Sequence, residues 1–508
     1  MPLDVLFVNP NSSRKVYQDL SKDFTAIEVP VWSLLLAQSC RGKGFGVAIL
    51  DCDAERLTDE SAVARIREAN PRLVCFVVYG QNPNSGTTNM TGAISLCRAL
   101  KSAYPEYRTC FVGSHTSALP LEVLGFDCVD LILQNEGVYA LHNLLKTDLR
   151  TDLQNVKGIG YKDADGKPAL TTPEGVVPQA RMDVDLPGYA WDLLPQRQRP
   201  LDMYRAHFWH ADFNHDYRSP AAAIYTSLGC RFRCDFCMIN ILNRTNNADG
   251  VTSADSATMR FWSPEFMLKT FDQLVEMGVE TVRLSDEMFF LDKRYFEPLL
   301  KGILSRGYGD KLRMWAYSRV DTVRPQYLEL FRAAGVRWLA LGIEAANRMV
   351  RKEVTKGTFE EVDIKQVVND IRARDISVIA NYIFGLPDDT HETMQETLDL
   401  GLELNTEMWN AYPAMALPGS PLHKTARQNG WPLPNSFEGY SFLSYECLPL
   451  PTKSLSAADV LRFRDEAFYK YFNRPEYLSL VERKFGARQR ENVLDLLKVK
   501  LKRQLLGD

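Results

Sequence analysis

The sequence lacks the features that would assign it to a membrane or to a nucleic-acid partner. No apolar run approaches the roughly 18 residues that a membrane span requires. The first ten residues, MPLDVLFVNP, lack the basic stretch and cleavable apolar segment of a signal peptide. The net charge of −4 over 508 residues leaves no basic excess that would favour nucleic acid. We therefore expect a cytoplasmic protein without a membrane span and without a nucleic-acid partner.

What is present is the composition of a folded, multidomain protein. Hydrophobic residues make up 45% of the chain and charged residues 24%, which is ordinary for globular proteins. At roughly 150 residues per domain, the length suggests about three domains. Ten cysteines could pair, but a chain of this length can build a core without disulfides, and nothing indicates secretion. We predict reduced thiols, most of them acting as small buried hydrophobes.

Residues 1–145 alternate short apolar runs with helical patterns. Five runs rich in Val, Ile, Leu and Phe predict a flavodoxin-like, doubly wound parallel sheet, which binds ligands at the carboxyl ends of its strands. Small or polar residues occupy those predicted ends. They are Asn11, Ser12, Gln81, Asn82, Ser85, Gly113, Ser114, His115, Thr116, Asn135, Glu136 and Gly137.

Residues 146–219 lose this alternation and carry many prolines and charges. Such a composition predicts a linker that wraps between domains. Within it, Trp209, His210 and His215 are candidates for the wall of a substrate cleft, with interdomain packing as the alternative.

The remainder of the chain divides into two further regions. Six strand and helix units between residues 220 and 428 predict a partial (β/α)6 barrel with its chemistry on the loops that follow the strands. Residues 429–508 predict a small, mostly helical region, in which Ser456 and Asp459 are placed as a capping box. The chain is thus expected to be an α/β protein with a helical carboxyl-terminal region.

Three cysteines cluster on the loop after the first predicted barrel strand. Cys230, Cys234 and Cys237 form the pattern C-x3-C-x2-C. A closed zinc site would need a fourth nitrogen or sulfur ligand, and no paired motif follows nearby. Three thiolates suit a 4Fe–4S cluster with one open iron, which can bind and activate a small chelating molecule.

This triplet, with the aromatic Phe236 before the third cysteine, closely resembles that of the radical S-adenosylmethionine (SAM) enzymes. The segments LSDE, AYSRVD, GIEAAN, NYIFGLPDDT and ALPGSPLH match further motifs of that family in order. The resemblance implies contacts from Ser285 and Asp286 to the SAM amine. It also implies contacts to the rest of SAM from Phe236, Ser318, Arg319, Glu344, Asn381 and Gly385. For Arg319 and Glu344, an internal ion pair is the alternative.

A parallel sheet before such a barrel resembles the subfamily in which a cobalamin-binding domain precedes the radical SAM domain. The subfamily's GGxHxT-like loop and GEG-like turn correspond to GSHT at 113–116 and NEG at 135–137, and they depart at Ser114 and Asn135. The resemblance implies that the polar strand ends named above, together with Tyr79, bind cobalamin. We expect His115 near the nucleotide tail and no imidazole on cobalt.

The resemblance also implies a reaction. In the resembling methylases a 5'-deoxyadenosyl radical removes hydrogen from an unreactive carbon, and methylcobalamin supplies the methyl group. We therefore expect an oxygen-sensitive methyltransferase that acts on an unactivated carbon, less commonly on phosphorus, of a small molecule. An electron donor such as flavodoxin or ferredoxin is expected as a partner.

Three alternatives share parts of this pattern. A non-methylating relative that forms or rearranges a ring, such as the anaerobic magnesium-protoporphyrin ester cyclase, has every motif named above. A methylthiotransferase would need three more cluster cysteines in its first domain. The cysteines of the first domain here lie in or beside core segments, which disfavours that alternative. A cobalamin-binding sensor with a vestigial cluster is the alternative from another class.

Overall fold

The computed structural model describes residues 2–80, 82–248, 250–355 and 362–508. It has two parallel sheets flanked by helices and a helical carboxyl-terminal region, which confirms the predicted fold class. Within these ranges, no helix combines the length and the apolar character that a membrane crossing requires.

The first sheet has seven strands in the order β2-β1-β3-β4-β5-β6-β7. Strands β1 to β5 are parallel and follow the flavodoxin-like order that the five apolar runs predict. The central strand β3 is buried along its whole length, as expected for a strand covered on both faces. The seven strands are β1 (Val5–Asn9), β2 (Val47–Asp51), β3 (Leu73–Val78), β4 (Arg108–Gly113), β5 (Leu131–Leu133), β6 (Ile159–Lys162) and β7 (Pro168–Leu170).

Strands β6 and β7 come from the segment that the sequence predicts to be a linker. They form an antiparallel hairpin that extends the sheet beyond β5. The carboxylate of Asp163 accepts from the backbone N–H groups of Asp165 and Lys167 at 2.9 Å and holds the turn. The first domain therefore continues to residue 170, and only the remainder of the segment wraps between the domains.

Helices cover both faces of this sheet, and a short one lies in the linker. The helices are α1 (Ser13–Tyr17), α2 (Leu20–Asp23), α3 (Val31–Arg41), α4 (Asp59–Ala69), α5 (Gly86–Ala103), α6 (Ser114–Ala118), α7 (Pro120–Leu124), α8 (Val138–Leu145) and α9 (Met182–Asp185).

The second sheet is the predicted partial barrel. Six parallel strands lie in the order β15-β14-β13-β12-β11-β8, and a separate antiparallel hairpin, β9–β10, follows the first of them. The strands are β8 (Ala221–Ile224), β9 (Ser227–Cys230), β10 (Thr258–Phe261), β11 (Thr281–Leu284), β12 (Arg313–Arg319), β13 (Val336–Glu344), β14 (Ser377–Phe384) and β15 (Met408–Pro413).

The barrel helices alternate with its strands, and three more helices close the chain. The predicted capping box is present, since the Ser456 hydroxyl accepts from the Asp459 N–H at 3.2 Å and starts α17. Tyr471 of α17 stacks on Trp409 of β15 with ring centroids 5.1 Å apart. The helices are α10 (Pro264–Glu276), α11 (Lys293–Ser305), α12 (Leu328–Ala333), α13 (Arg348–Thr355), α14 (Ile364–Arg372), α15 (His391–Leu404), α16 (Pro421–Gln428), α17 (Ala457–Phe472), α18 (Pro475–Phe485) and α19 (Ala487–Lys498).

One hydrophobic core runs from the first sheet through the linker into the barrel. A buried ion pair crosses the same boundary, where Glu28 of the first domain accepts from the guanidinium of Arg283 on β11. Arg283 also donates to the Tyr317 hydroxyl at 2.6 Å. The two sheets are therefore packed against each other, with their strand ends on either side of a shared interface.

Candidate active site between the two sheets

The three clustered cysteines lie where hairpin β9–β10 faces the first domain. Cys230 ends β9 and is buried, whereas Cys234 and Cys237 are half-buried. Asn240 holds the loop, because its side chain accepts from the Cys230 N–H at 3.1 Å and donates to the Cys230 carbonyl at 2.9 Å. Burial raises the pKa of the Cys230 thiol to about 11 and that of Cys234 to about 12. These thiols therefore need a cationic partner to ionise near neutral pH.

The three thiols lie close enough together to affect one another's ionisation. Burial is the main cause of the raised pKa of Cys237, and the neighbouring Cys234 and Cys230 raise it further. In a four-iron cluster each of three thiolates binds a different iron. Three neighbouring thiols on one loop therefore fit a 4Fe–4S cluster.

The first domain reaches into the cysteine loop through Asn84, which lies in the turn after β3. Its Oδ1 accepts from the Met238 N–H at 3.0 Å, and its Nδ2 lies 3.8 Å from the Cys237 sulfur. From the barrel side, the Ser253 hydroxyl donates to the Cys237 carbonyl. Both sheets thus position the loop that carries the cluster ligands.

The end of β11 carries three polar residues with different roles. Asp286 accepts from the Thr226 N–H and hydroxyl at 2.7 Å each and from the Ser227 hydroxyl, so it ties the end of β11 to the start of β9. By contrast, Ser285 Oγ and Glu287 Oε1 are buried and have no hydrogen-bond partner among the described residues. Burial raises the pKa of Glu287 to about 8. Ser285 and Glu287 therefore offer unpartnered oxygens to a ligand amine, and the SAM contact at Asp286 stays a prediction.

Arg319 and Glu344 lie side by side over Gly342. A Cβ atom at Gly342 would lie 2.6 Å from Glu344 Oε1 and 3.7 Å from Arg319 Cγ. Arg319 pairs with Asp321 at 2.5 Å, and its guanidinium stacks 3.7 Å from the Phe232 ring centroid in the cysteine loop. Glu344 has a backbone φ of +65°, and burial raises its pKa to about 7. Arg319 thus forms an ion pair with Asp321, and Glu344 lies in a strained turn beside it.

Two predicted SAM contacts make local packing interactions. The Ser318 hydroxyl lies 2.9 Å from the Thr322 hydroxyl within the turn that follows β12. The Phe236 ring packs against two small apolar clusters, one containing Ala345 and the other Ala416. Phe236 therefore anchors the cysteine loop to the ends of β13 and β15.

Asn381 and Gly385 lie on the strand that was predicted to face the nucleoside of SAM. Asn381 is half-buried and accepts from the Asn410 amide at 3.2 Å. Gly385 has φ +79°, and its Cβ position is filled by the Val460 side chain of α17. Its N–H donates to Asp389 at 3.0 Å. The face of Gly385 that lacks a side chain therefore packs against α17. A contact with adenine, as predicted for Gly385, would have to come from backbone atoms other than this N–H.

A polar cleft of about 600 Å³ lies at the carboxyl ends of β1 and β3 in the first domain. The predicted residues Ser12 and Ser85 line it, together with Ser13 and Asp53. Nearby, Asn82 Oδ1 is buried without a hydrogen-bond partner in the described part of the chain. These groups fit the amide-rich periphery of a corrin ring. Gln81 lies outside the described residues.

Two other predicted residues of these loops make local contacts. The Asn11 side chain accepts from the Ser13 N–H at 3.2 Å. Tyr79 stacks on Trp32 with ring centroids 4.7 Å apart and lines a cavity between the two sheets. Tyr79 therefore faces the barrel from the end of β3.

The loop after β4 is buried more deeply than the sequence suggests. Ser114, His115 and Thr116 are at most 1% exposed. The Ser114 hydroxyl donates to the Pro83 carbonyl at 2.6 Å, while His115 Nδ1 lies 3.1 Å from the Thr87 hydroxyl. These three residues are absent from the lining of the polar cleft. At Gly113 the Cβ position is filled by the Val78 carbonyl, so glycine allows this close approach.

The turn after β5 connects the two sheets. Asn135 donates to the Arg244 carbonyl and accepts from the Arg244 N–H, both at 2.9 Å. Glu136 forms a buried ion pair with Arg260 of β10. Gly137 begins α8 with φ +77°. Asn135 and Glu136, which were predicted to contact cobalamin, thus hold the hairpin of the cysteine loop against the first domain.

The three linker residues have separate environments. His210 is 5% exposed, stacks on Trp315 of β12 and accepts from the Trp209 indole N–H at 2.9 Å. Trp209 is half-buried and lines an apolar cavity. His215 is exposed at the start of a short 3₁₀ turn. The candidate substrate role of His215 has no support here, because its side chain faces away from the interior.

From the sequence, Asn84 and Glu287 were expected only as members of polar strand ends, without a role of their own. Asn84 lies in the polar loop after β3, and Glu287 follows the predicted Ser285 and Asp286. The signal for Glu287 was the second carboxylate of LSDE, since two adjacent acids at one strand end point to different surroundings. The partner of Asn84 is distant in sequence, so no spacing could reveal it.

Comparisons with known families follow the same division of the chain. Residues 20–145 match the B12 binding domain, and residues 224–401 match the Radical SAM superfamily. The first of these domains binds cobalamin, and the second binds SAM and a 4Fe–4S cluster.

Curated relatives include proteins of two activities. An uncharacterised methyltransferase of Pyrococcus horikoshii is 22% identical over 441 residues, covering 85% of each chain. An anaerobic magnesium-protoporphyrin IX monomethyl ester cyclase of Cereibacter sphaeroides is 23% identical over 438 residues, covering 83% of this chain and 63% of the relative.

Solved structures share the fold over almost the whole chain. The radical SAM methyltransferase TsrM of Kitasatospora setae, with cobalamin and a [4Fe–4S] cluster bound, gives a TM-score of 0.65 at 17% identity and covers 93% of this chain and 89% of its own. The cobalamin-dependent SAM radical enzyme OxsB gives 0.66 at 15% identity and covers 98% and 70%.

Proposed function

Because the chain carries the B12-binding and radical SAM domains of the cobalamin-dependent radical SAM enzymes, we propose that it is a methyltransferase. Its substrate is a small molecule, methylated at an unactivated carbon or, less commonly, at phosphorus. An electron donor of the flavodoxin or ferredoxin type supplies the reducing electrons. Methyltransferases among the curated relatives support this proposal.

The observation that carries the proposal is the shared cavity between the two sheets. It measures about 370 Å³ and lies against Tyr79 at the end of β3 and against Gly229 and Glu287 on the barrel side. Asn84 joins the same strand-end loop to the cysteine loop. Groups bound at the two sheets would therefore approach each other across one small space, and the reacting atom of the substrate must reach this space from its own binding site.

Residues in and around this cavity have separate tasks in the proposal. When bound, the cluster and SAM supply a radical that abstracts hydrogen, and cobalamin supplies the methyl group. Cys230, Cys234 and Cys237 hold the cluster. Ser285 and Glu287 offer the unpartnered oxygens that bind the SAM amine.

The surrounding apolar residues have a supporting role. Trp32 stacks behind Tyr79, and Leu228 and Ile239 line the opposite wall of the cavity. Such a lining excludes water, which would otherwise quench a reactive radical.

Isotope transfer tests the proposal. The protein, reconstituted without oxygen with iron, sulfide and cobalamin, is mixed with reductant, trideuteromethyl SAM and an extract of small molecules from its source cells. We expect 5'-deoxyadenosine together with a product that gains about 17 mass units, the replacement of hydrogen by a deuterated methyl group. Production of 5'-deoxyadenosine without transfer of the label to any product would contradict methylation.

Ring formation is the second candidate, because cyclases align with more than four-fifths of the chain in one relative. A cyclase would consume SAM and change only the hydrogen or oxygen content of its product. The same experiment therefore distinguishes the two reactions, since only a methyltransferase yields a labelled product.

A further inference from the structure

A second, larger cavity lies between the first domain, the linker, the barrel and the carboxyl-terminal helices. Its volume, including the part that opens to solvent, is about 930 Å³. Five half-buried aromatic side chains share its wall: Tyr17, Phe24, Trp209, Phe442 and Phe468. A cavity that leaves this much aromatic surface accessible is suited to an apolar ligand.

The charged groups of this cavity are already paired. Of its lining residues, Arg464 and Asp465 carry charge, and they lie 2.9 Å apart. Asp465 also accepts two hydrogen bonds from Arg503, at 2.8 and 2.9 Å. Burial lowers the pKa of His207, another lining residue, to about 3, so its ring is neutral. A charged ligand group would have to displace one of these contacts, whereas a neutral ring would not.

The cavity touches both cofactor regions. Tyr17 lines it and also lines the polar cleft at the ends of β1 and β3. On the barrel side, Asn410 lines it and donates to Asn381, the residue expected near the SAM ribose. The cavity therefore shares Tyr17 with the cleft of the first domain and contacts, through Asn410, the strand expected to face SAM.

The geometry points to this cavity as the substrate site, and to a substrate that is uncharged, largely apolar and built around at least one ring. The binding site and the class of ligand do not depend on the proposed function, and only the reaction that follows binding rests on it. Aromatic walls bind planar apolar groups by offset stacking and by removing their surface from water. Asn410 is the neutral polar side chain that can orient such a ring toward Asn381.

Binding of size-matched probes tests this class without turnover. Equilibrium dialysis of the cofactor-loaded protein measures 2-naphthol, which is neutral near pH 7, against 2-naphthoate and 2-naphthylmethylammonium. We expect 2-naphthol to bind at least about tenfold more tightly than either charged probe, because only charged probes pay for desolvation beside a satisfied ion pair. Equal affinity for a charged probe, or no binding of 2-naphthol, would overturn the assignment.

Substitutions locate the binding. Leu443→Glu places a carboxylate in the cavity wall, and we expect it to weaken 2-naphthol binding at least about tenfold. Leu121→Glu makes the same change at a side chain that is 48% exposed outside the cavity, and it should leave binding unchanged. If Leu443→Glu does not fold, Phe468→Ala replaces it as the variant of the cavity wall, and it too should weaken 2-naphthol binding. Unchanged binding in a folded cavity variant would place the probe elsewhere.

The outcome is separable from that of the proposed function. Suppose that 2-naphthol binds, that Leu443→Glu abolishes this binding, and that the protein transfers no labelled methyl group. The assigned site would then be supported, and the proposed methyl transfer would be contradicted. A labelled product made from a charged metabolite would support the proposed methyl transfer, and it would contradict the assignment of an uncharged substrate.

Discussion

The two edges of the cavity between the sheets are built in opposite ways. The cluster edge is local: three cysteines stand within eight residues, on one loop that Asn240 holds. The cobalamin edge is dispersed over the turns after β1, β3, β4 and β5, and several of its polar side chains are used by other contacts, as Glu136 is by Arg260. Spacing in sequence identifies the first kind of site, whereas packing decides which residues remain available in the second.

The largest effect should come from the local edge. Replacing Cys230, Cys234 or Cys237 by Ala removes an iron ligand that nothing nearby replaces, so absorbance near 400 nm and 5'-deoxyadenosine formation should fall to background. Cobalamin binding should persist, since the first domain is untouched. Cys447→Ala, at a cysteine buried outside both matched domains, is the control. About four irons per chain in any of the three variants would contradict the assignment.

Substitutions of the two neighbouring carboxylates at the end of β11, Asp286 and Glu287, should distinguish an effect on SAM binding from an effect on stability. Glu287→Gln should weaken SAM binding by roughly 1.5–3 kcal/mol, the range for a hydrogen bond to a charged group, without lowering Tm. Asp286→Asn should instead lower the stability, because Asp286 accepts from three donors that tie the end of β11 to the start of β9. Calorimetry of SAM binding and thermal unfolding measure the two effects. The reverse pattern would place the SAM contact at Asp286.

The buried carboxyl group of Glu287 also predicts a pH dependence of the stability. Burial raises the pKa of Glu287 from 4.5 to about 8, so the folded chain binds this proton more tightly than the unfolded chain. Its contribution to stability is therefore present below about pH 4.5 and is lost as the pH rises toward 8. In the cofactor-free protein, Glu287→Gln should flatten the fall of Tm over this window. An unchanged slope would show that Glu287 ionises normally.

The fold could be read from the sequence because its signals are repetitive. Each parallel strand is an apolar run followed by a helical pattern, and the predicted order of β1 to β5 and the six barrel strands are confirmed. The hairpin β6–β7 was missed, since its strands of four and three residues stand among charges and turn residues. Short edge strands of this kind carry too little periodicity to be predicted.

The site was only partly readable for a physical reason. The polar character of Asp286, Asn135 and Ser114 predicted that they would bind something, and each does form hydrogen bonds. Their partners lie in other elements of the protein, and a sequence pattern cannot distinguish a side chain that binds a cofactor from one that binds a distant backbone group. Contacts with cobalamin and SAM remain predictions at every residue that the sequence assigned to them.

A smaller effect should appear where the two edges meet. Asn84→Ala removes the acceptor for the Met238 N–H and the amide beside the Cys237 sulfur. A lost hydrogen bond costs about 1–2 kcal/mol, so methyl transfer per SAM cleaved should fall roughly tenfold while iron content stays constant. Asn89→Ala, at another asparagine of the first domain that lines the polar cleft, tests whether the effect is specific to the cysteine loop. Equal losses in both variants would argue against a bridging role.

The smallest effect is expected at His115, the one histidine in the strand-end loops of the first domain. Its Nδ1 lies 3.1 Å from the Thr87 hydroxyl, and its ring meets Phe437 edge-on at 5.2 Å. The ring is 1% exposed, so it could reach cobalt only if α6 opened. The corrin should instead face Tyr79 and Asn82 without an imidazole ligand.

Electron paramagnetic resonance of bound cob(II)alamin measures this directly. We expect no nitrogen superhyperfine splitting in the wild-type protein and the same spectrum in His115→Ala, because an imidazole bonded to Thr87 has no path to the metal. The variant should lose about 1 kcal/mol of stability from the broken hydrogen bond, which thermal unfolding can detect. A weak lower ligand would also ease methyl transfer as a radical, since cobalt is then not drawn toward six ligands. Nitrogen splitting that disappears in His115→Ala would show instead that this loop moves to ligate cobalt.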